Sequence, residues 1–311
     1  MNSKLELNFI EKLVFSNYKI RSKAIQVNGE IDDNFKLVSK DNIFFFKIYP
    51  KNTNKEFVKF QVDILHSLKK NKKTSNNTHS LNGNVVESFQ DKDNNLRFFR
   101  MNSWIEGRLW SKVNPINKSL RLELGKVSAE ILNGLKSVKK VYSRKNFHWD
   151  LQNFLWTEQY IDLLELSQKR VVKKLIAKFK KVEKKYKKLR KSIIHNDIND
   201  NNIIVSENLK NPTISGIIDF GDMVYSPLII DLAVAAAYLE VEDGNPLNLI
   251  NHFVAGYNYE NALDPHEINI LFDLIKVRVA TTVAIAAWRK SFRDPDDPYL
   301  VFNSDDGSRK F

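Results

Sequence analysis

The sequence predicts an α+β protein in which a small antiparallel β-rich part is followed by a larger helical part. Three observations lead there. The first hundred residues read as short strands with one helix, long helical periods take over from Pro115, and a short β insertion interrupts the helices between Ile193 and Asp219. The change of pattern falls at a connector, residues 102–107. An N-terminal lobe of residues 1–102 and a C-terminal lobe of residues 103–311 are therefore expected.

Taken in order, residues 22–27, 35–38 and 43–49 are strand-like by their β-branched and aromatic content, with Asn28-Gly29 and Lys40-Asp41-Asn42 as turn signals between them. They predict an antiparallel meander. Residues 55–69 carry apolar side chains at 57, 60, 64, 65 and 68, a helical period. A polar loop rich in Asn, Lys and Ser follows at 70–83, and then two more strands at 85–89 and 96–101. Residues 119–138 form an amphipathic helix, with Leu120, Leu124, Val127, Ile131, Leu135 and Val138 on one side. Strands at 203–205 and 214–218 are joined by a turn containing Pro212. Helices are expected to resume at Pro227, a residue suited to a first turn, and again after Asp264, which can cap while Glu267 reaches back.

Composition narrows the function. The 311 residues contain no cysteine, which excludes disulfides, thiolate metal sites and a cysteine nucleophile. Residues 1–13 place Lys4, Glu6, Glu11 and Lys12 among apolar neighbours, so no secretory leader is expected, and the apolar stretch 228–239 contains Asp231 and is too short to cross a bilayer. A cytoplasmic protein with no membrane association is the expectation. The formal charge of +12 is localised: residues 169–191 hold thirteen Lys/Arg and one acid, Glu183, while the remainder is balanced at 36 basic and 36 acidic residues. Within that segment Val172, Leu175, Ile176, Phe179, Val182, Tyr186 and Leu189 recur at helical spacing. A lysine-coated solvent face on an amphipathic helix accounts for this, and without aromatic interleaving it argues against a nucleic-acid partner.

The chemistry concentrates in two motifs. His195-Asn196-Asp197-Ile198-Asn199-Asp200-Asn201-Asn202 is followed, after one strand and a turn, by Ile218-Asp219-Phe220-Gly221-Asp222. A carboxylate and a carboxamide thus lie five residues apart on one loop, with a second carboxylate at a neighbouring strand end. Phosphoryl transfer requires a carboxylate to orient the attacking hydroxyl and accept its proton, and hard oxygen ligands to hold Mg²⁺ against the phosphates. Asp197 suits the first task, and Asn202 with Asp219 suits the second. Either motif alone would be weak, because aspartate-rich turns commonly just cap elements. Both together, in this order and spacing, are a strong signal.

These motifs resemble the aminoglycoside phosphotransferase and choline kinase superfamily, and within it the hydroxylysine kinase-like branch, which also occurs fused to class III aminotransferases. The likeness runs along most of the chain. It includes Gly29-Glu30-Ile31-Asp32-Asp33-Asn34-Phe35, Phe46-Lys47-Ile48, Trp104-Ile105-Glu106-Gly107, Trp149-Asp150-Leu151, Gly256-Tyr257, Asp273-Leu274-Ile275 with Arg278, Ala287-Trp288-Arg289, and Asp294-Pro295 to Tyr299-Leu300. It implies a two-lobed protein-kinase-like fold with ATP and Mg²⁺ as cofactors in the cleft between the lobes. Lys47 would then contact the α/β-phosphates, the turn bearing Asp33, Asn34 and Phe35 would cover them, and backbone groups of Ser103 and Ile105 would meet adenine. His195, Asp222 and Asp231 would support the catalytic loop, Asp231 as a buried acceptor for its backbone. Glu56 is the helix acid with the chemistry to pair with Lys47.

Asn196 stands where the family has glycine, and asparagine best tolerates a left-handed backbone after glycine. The phosphate turn has a single glycine, Gly29, so no G-x-G-x-x-G is present. No A-P-E follows Asp219 and few residues separate it from Pro227, which argues against a protein kinase. The expected acceptor is therefore a small molecule, an amine-bearing metabolite with a hydroxyl. Trp149, Asp150, Glu240, Asp243, Arg278 and Trp288 are its candidate contacts. Homoserine, choline and aminoglycosides stay open as alternatives, as does an inactive kinase-fold binding module, and nothing in the sequence specifies an oligomeric state.

Overall fold

The computed structural model describes residues 5–186, 188–239 and 246–293. It separates into two compact units, Met1–Gly107 and Arg108–Phe311. The division falls after Gly107 rather than after Asn102. The reason is that the last long strand of the first unit runs on through Ser103, which still pairs with Phe44.

The first unit contains α1 (Leu7–Tyr18), β1 (Ser22–Val27), β2 (Asp33–Ser39), β3 (Ile43–Ile48), α2 (Lys55–Ser67), β4 (Asn77–Thr78), β5 (Val86–Gln90) and β6 (Leu96–Ser103). Its sheet has the order β1-β2-β3-β6-β4, with β5 also on β6, and every pairing is antiparallel. Phe35, Leu37, Phe46, Ile48, Phe99 and Met101 face one side, where Ile10 and Val14 of α1 cover them. The sequence reading missed α1, although residues 10, 14 and 18 are helically spaced. Leu7, Phe9 and Phe15 are exposed on the opposite faces and blur the apolar stripe from which a helix is read.

The second unit opens with β7 (Arg108–Leu109), a 3₁₀ turn (Trp110–Lys112), α3 (Lys118–Leu135) and a 3₁₀ segment (Leu151–Leu163). It continues with α4 (Leu166–Tyr186), β8 (Lys191–Ile194), β9 (Ile203–Val205), β10 (Ile214–Ile217), β11 (Val224–Pro227), α5 (Ile229–Ala237), α6 (Pro246–Glu260) and α7 (Pro265–Lys290). Two small antiparallel sheets result, β10-β9-β7 and β11-β8. The expected α+β division into a β-rich N-terminal part and a helical C-terminal part is the one observed. One boundary differs: Pro227 ends β11, opposite Lys191, instead of opening a helix. Leu228 N–H reaches back to the carbonyl of Arg190, and α5 starts one residue later.

Two features hold the helices. The lysine-rich α4 buries Val172, Ile176, Phe179 and Tyr186 and turns its charge outward, where Lys178 meets Asp273 at 2.6 Å and Lys180 meets Glu158 at 2.7 Å. Between α3 and α6 the backbones themselves touch. A Cβ on Gly125 would lie 2.0 Å from the carbonyl oxygen of Phe253, and one on Gly256 would lie 2.0 Å from that of Leu122. Among the described residues no helix is long and apolar enough to cross a membrane.

The glycine contact generates a stability prediction. Gly125→Ala cannot be absorbed by a side-chain rotation because its clash is with backbone, so the helices must separate. Overpacking of this kind costs about 1–3 kcal/mol. Urea unfolding should show that loss, and an unchanged midpoint would mean that α3 and α6 part easily.

Candidate active site

Strand β8 delivers His195 into a loop that runs to Asn202 and returns through β9. His195 is fully buried. Its Nδ1 accepts the Asp197 N–H at 3.2 Å, so Nε2 carries the proton that it donates to the Ile218 carbonyl at 3.0 Å. The ring also packs on Phe220, with centroids 4.6 Å apart. Burial pushes its pKa below the ordinary histidine value, which fits a neutral ring that joins the two motifs and transfers no proton. Asn196 adopts φ 66°, the left-handed region that its place after His195 requires. Asp231 of α5 accepts the backbone N–H of Asn196 at 2.8 Å and that of His195 at 3.2 Å.

Asp197 is the centre of the site. Its Oδ1 accepts from Arg278 Nη2 at 3.0 Å, and its Oδ2 accepts from Asn199 at 3.0 Å and Asn202 at 2.8 Å. About a fifth of the side chain, 21%, stays open, so a ligand can reach it. Burial, opposed by Arg278 and reinforced by repulsion from Asp222 and Asp219, pushes its pKa up to about 7. Burial likewise raises Asp222, whose carboxylate is held by Arg144 at 3.1 Å while the same guanidinium nitrogen donates to the Gly221 carbonyl. Asp219 bends through φ 61° and accepts the Gly221 N–H at 3.2 Å.

This donor set fits a divalent cation of the Mg²⁺ type. Asp197, Asp219 and Asp222 repel one another, a strain that a cation would relieve. Among the described residues no group of three or more acidic or histidine side chains forms a metal cage by itself. Mg²⁺ needs none, since it is ordinarily held by one or two carboxylates together with phosphate oxygens and water. Asn202 directs its Nδ2 at Asp197, which leaves its carbonyl oxygen turned away from that carboxylate.

In the first unit Lys47 is buried at 3% exposure on β3, and its Nζ meets Asp32 at 2.6 Å. A carboxylate beside Lys47 is thus Asp32, from the turn before β2; Glu56 lies in the first turn of α2. The hairpin register contained the clue: Asn34 pairs with Lys47 and Asp33 with Ile48, so the turn residue next to Asp33 arrives at the lysine head. Asp33 itself binds Arg97 at 2.7 Å, Asn34 donates to the Asn28 carbonyl, and Phe35 is in the core. Ser103 N–H donates to the Asn76 carbonyl within the sheet, and Ile105 follows in the connector.

Of the expected acceptor contacts, Glu240 and Asp243 lie outside the described residues. Arg278 is buried at 2% exposure against the rings of Trp149 and Tyr238, 4.4 and 5.5 Å away. Asp150 is buried and uses both oxygens internally, accepting from Ser226, from the Gln152 backbone and from the Gln152 amide. Trp288 joins His148, Trp156 and Tyr160 in an aromatic cluster. Arg144, Asn199 and Tyr238 were not read as site residues. Asn199 lies inside the motif of residues 195–202, whereas only approach in space reveals Arg144 and Tyr238, because no motif in the sequence links residues 144, 238 and 278.

The sequence model described as the phosphotransferase enzyme family, APH, matches residues 23–267. Hydroxylysine kinase of Mus musculus is 30% identical over 219 residues, 67% of this chain and 58% of the relative. That of Danio rerio is 26% identical over 217 residues, 68% and 61% respectively. The chain therefore spans only 53–61% of the length of these curated relatives. Among solved structures, an amicoumacin kinase in complex with AMP-PNP, Ca²⁺ and Ami superposes with a TM-score of 0.72 at 16% identity, covering 98% of this chain and 93% of that one. A microcompartment-associated aminopropanol kinase gives 0.69 at 13% identity, covering 97% and 95%. At such identities the likeness is one of fold.

Removing the Asp231 carboxylate tests the scaffold. Asp231→Ala leaves two buried backbone N–H groups without acceptors, at about 1–3 kcal/mol each. Chemical unfolding should report a loss of about 2–6 kcal/mol. Amide exchange at His195 and Asn196 should accelerate beyond the global change, and unaltered exchange there would remove the anchoring role.

Proposed function

Because this chain belongs to the phosphotransferase enzyme family, we propose that it is an ATP-dependent small-molecule kinase acting on a hydroxyl of an amine-bearing metabolite, a hydroxylysine-like amino acid or an amino alcohol. The observation that carries this reading is the environment of Asp197. Its carboxylate is oriented from both sides, by Arg278 and by two asparagines, yet remains reachable, with Asp219 close enough to influence its ionisation. A general base for a hydroxyl needs that combination of fixed aim and access.

Asp197 would accept the proton of the acceptor hydroxyl as its oxygen bonds to the γ-phosphorus and the bridging bond to ADP breaks. When bound, Mg·ATP supplies the phosphoryl group and the charge neutralisation, with the Asn202 carbonyl and the Asp219 carboxylate as protein ligands. Arg278, too buried for bulk water to reach, would keep the Asp197 carboxylate aimed at the hydroxyl. In the first unit Lys47 would exchange Asp32 for the α/β-phosphates, a stronger partner for a buried ammonium. The turn of Asp33, Asn34 and Phe35 would cover those phosphates, and Ser103 and Ile105 would meet the adenine through backbone groups. Curated relatives named hydroxylysine kinase and a structural neighbour named aminopropanol kinase support an amine-bearing acceptor.

A coupled ADP-release screen over 5-hydroxylysine, homoserine, ethanolamine, choline, kanamycin and simple sugars checks the proposal. At least one amine should turn over, and sugars should be poor. Asp197→Asn should lower turnover by roughly 10²–10⁴, the worth of a positioned base, while calorimetry still detects Mg·ATP. Asp219→Ala should abolish Mg²⁺-dependent turnover. Wild-type turnover in Asp219→Ala, or ADP release with sugars alone, would overturn the reading.

A further inference from the structure

The chain contains three Asn-Gly pairs, Asn28-Gly29, Asn82-Gly83 and Asn133-Gly134. Asparagine before glycine is chemically labile, because a residue without a Cβ leaves its backbone nitrogen unhindered beside the asparagine side-chain carbon. The fold treats the three pairs differently. Asn133-Gly134 lies in α3, whose ladder takes the Gly134 N–H. There the Asn133 amide donates to the Glu260 carbonyl at 3.2 Å and its oxygen accepts from Lys136 at 2.7 Å. In the turn before β5 the Gly83 N–H donates to the Ser80 carbonyl at 3.0 Å, and Asn82 Nδ2 reaches Glu87 at 3.4 Å. At both sites the glycine nitrogen and the asparagine side chain are held.

Asn28-Gly29 has neither restraint. It sits in the turn between β1 and β2, with Asn28 exposed. Among the described residues, neither the Asn28 side chain nor the Gly29 N–H makes a hydrogen bond. The polar contact of the pair is at the Asn28 carbonyl, which accepts from Asn34 Nδ2 at 3.3 Å. That donor draws electron density from the same peptide group whose nitrogen must lose a proton, which favours reaction. The glycine is also fixed by space. A Cβ at position 29 would lie 2.4 Å from the Asp32 carbonyl oxygen and 2.5 Å from Asn34 Nδ2, so no bulkier, slower residue fits. The closure of the turn thus demands the neighbour that makes Asn28 labile.

We propose that Asn28 is a modification site, where the side-chain amide is lost to give aspartate and isoaspartate. The Gly29 nitrogen gives up its proton and attacks Asn28 Cγ. The new C–N bond closes a cyclic imide as the Cγ–Nδ2 bond breaks, and the amide group leaves as ammonia with that proton. Water then opens the ring, its hydroxyl staying on the carbon and its hydrogen returning to the Gly29 nitrogen. Opening at Cγ leaves aspartate. Opening at the backbone carbonyl leaves isoaspartate, which lengthens the turn by one methylene and converts the carbonyl that Asn34 holds into a free carboxylate. Either product adds a negative charge to a turn that already contains Glu30, Asp32 and Asp33. The consequence for nucleotide rests on the kinase reading above, in which this turn covers the phosphates: the modified chain binds Mg·ATP more weakly through like-charge repulsion.

Peptide mapping tests the site. The full chain is aged in native buffer at mildly alkaline pH, and mass spectrometry follows the replacement of amide by acid at each Asn-Gly pair, with enzymatic carboxyl methylation marking isoaspartate. Asn28 should convert roughly tenfold faster than Asn82 and Asn133, where hydrogen bonds must open first. In guanidinium the three should react at similar rates. Asn28→Gln, whose longer side chain does not readily close the ring, should show no conversion at position 28. Native conversion at Asn82 or Asn133 as fast as at Asn28, no isoaspartate at position 28, or a selectivity that survives in guanidinium would each overturn the proposal. Calorimetry with Mg·ATP reads the consequence. Aged wild type and fresh Asn28→Asp should bind roughly threefold more weakly, and aged Asn28→Gln should bind as it did when fresh. Conversion at Asn28 with unaltered Mg·ATP affinity would uphold the modification site and count against this turn as phosphate cover, so the two failures are distinguishable.

Discussion

Asp231 sits in the apolar helix α5 and commits one oxygen to the His195 N–H and the other to the Asn196 N–H. A carboxylate at 2% exposure is expensive to desolvate, and only donors aimed directly at it offset that cost. The constraint works in both directions. Two successive amides point at one carboxylate, and the chain takes the left-handed conformation at Asn196 between them. His195 then locks the loop to Ile218, the residue before Asp219. The loop that carries Asp197 and the turn that carries Asp219 are thus tied to each other and to α5.

The acids themselves are an electrostatic problem held in check by two arginines from distant parts of the chain. Asp222 is balanced by Arg144 and Asp197 by Arg278, with salt bridges of 3.1 and 3.0 Å. Both aspartates have pKa values raised by burial all the same, which says that the arginines do not fully compensate it. A site left short of positive charge in this way is suited to a cation arriving with phosphates. Folding alone does not complete its charge balance.

Much of this was legible in the sequence. Residue content and turn signals placed β1 at its observed residues, and periodicity placed α2, α3 and α4 to within a few, because each helix buries one regular face. The spacing from His195 to Asn202 and the Asp219 turn picked out the loop that carries Asp197, since the residue types and their order are read directly from the sequence. What stayed hidden depends on tertiary approach. Strands β8 and β11 are short and buried between turns, so neither shows an alternating pattern, and Pro227 imitates a helix start while closing an edge strand. The contact of Lys47 with Asp32 follows from hairpin register. Arg278 and Arg144 carry no local signature, and their roles arise from an 81-residue and a 78-residue separation in the chain.

The lysine helix α4 has a consequence for handling the protein. The isoelectric point near 9.5 describes one ridge rather than the whole surface, because residues 169–191 account for the entire formal excess. In colloidal terms the molecule is a patchy particle with a strong dipole. On a cation-exchange resin it will adsorb through that ridge in a single orientation, eluting at a salt concentration set by local charge density rather than by net charge. Polyanions carried over from a lysate will collect on the same ridge. A high-salt wash will strip them without disturbing the buried ion pairs that hold the fold.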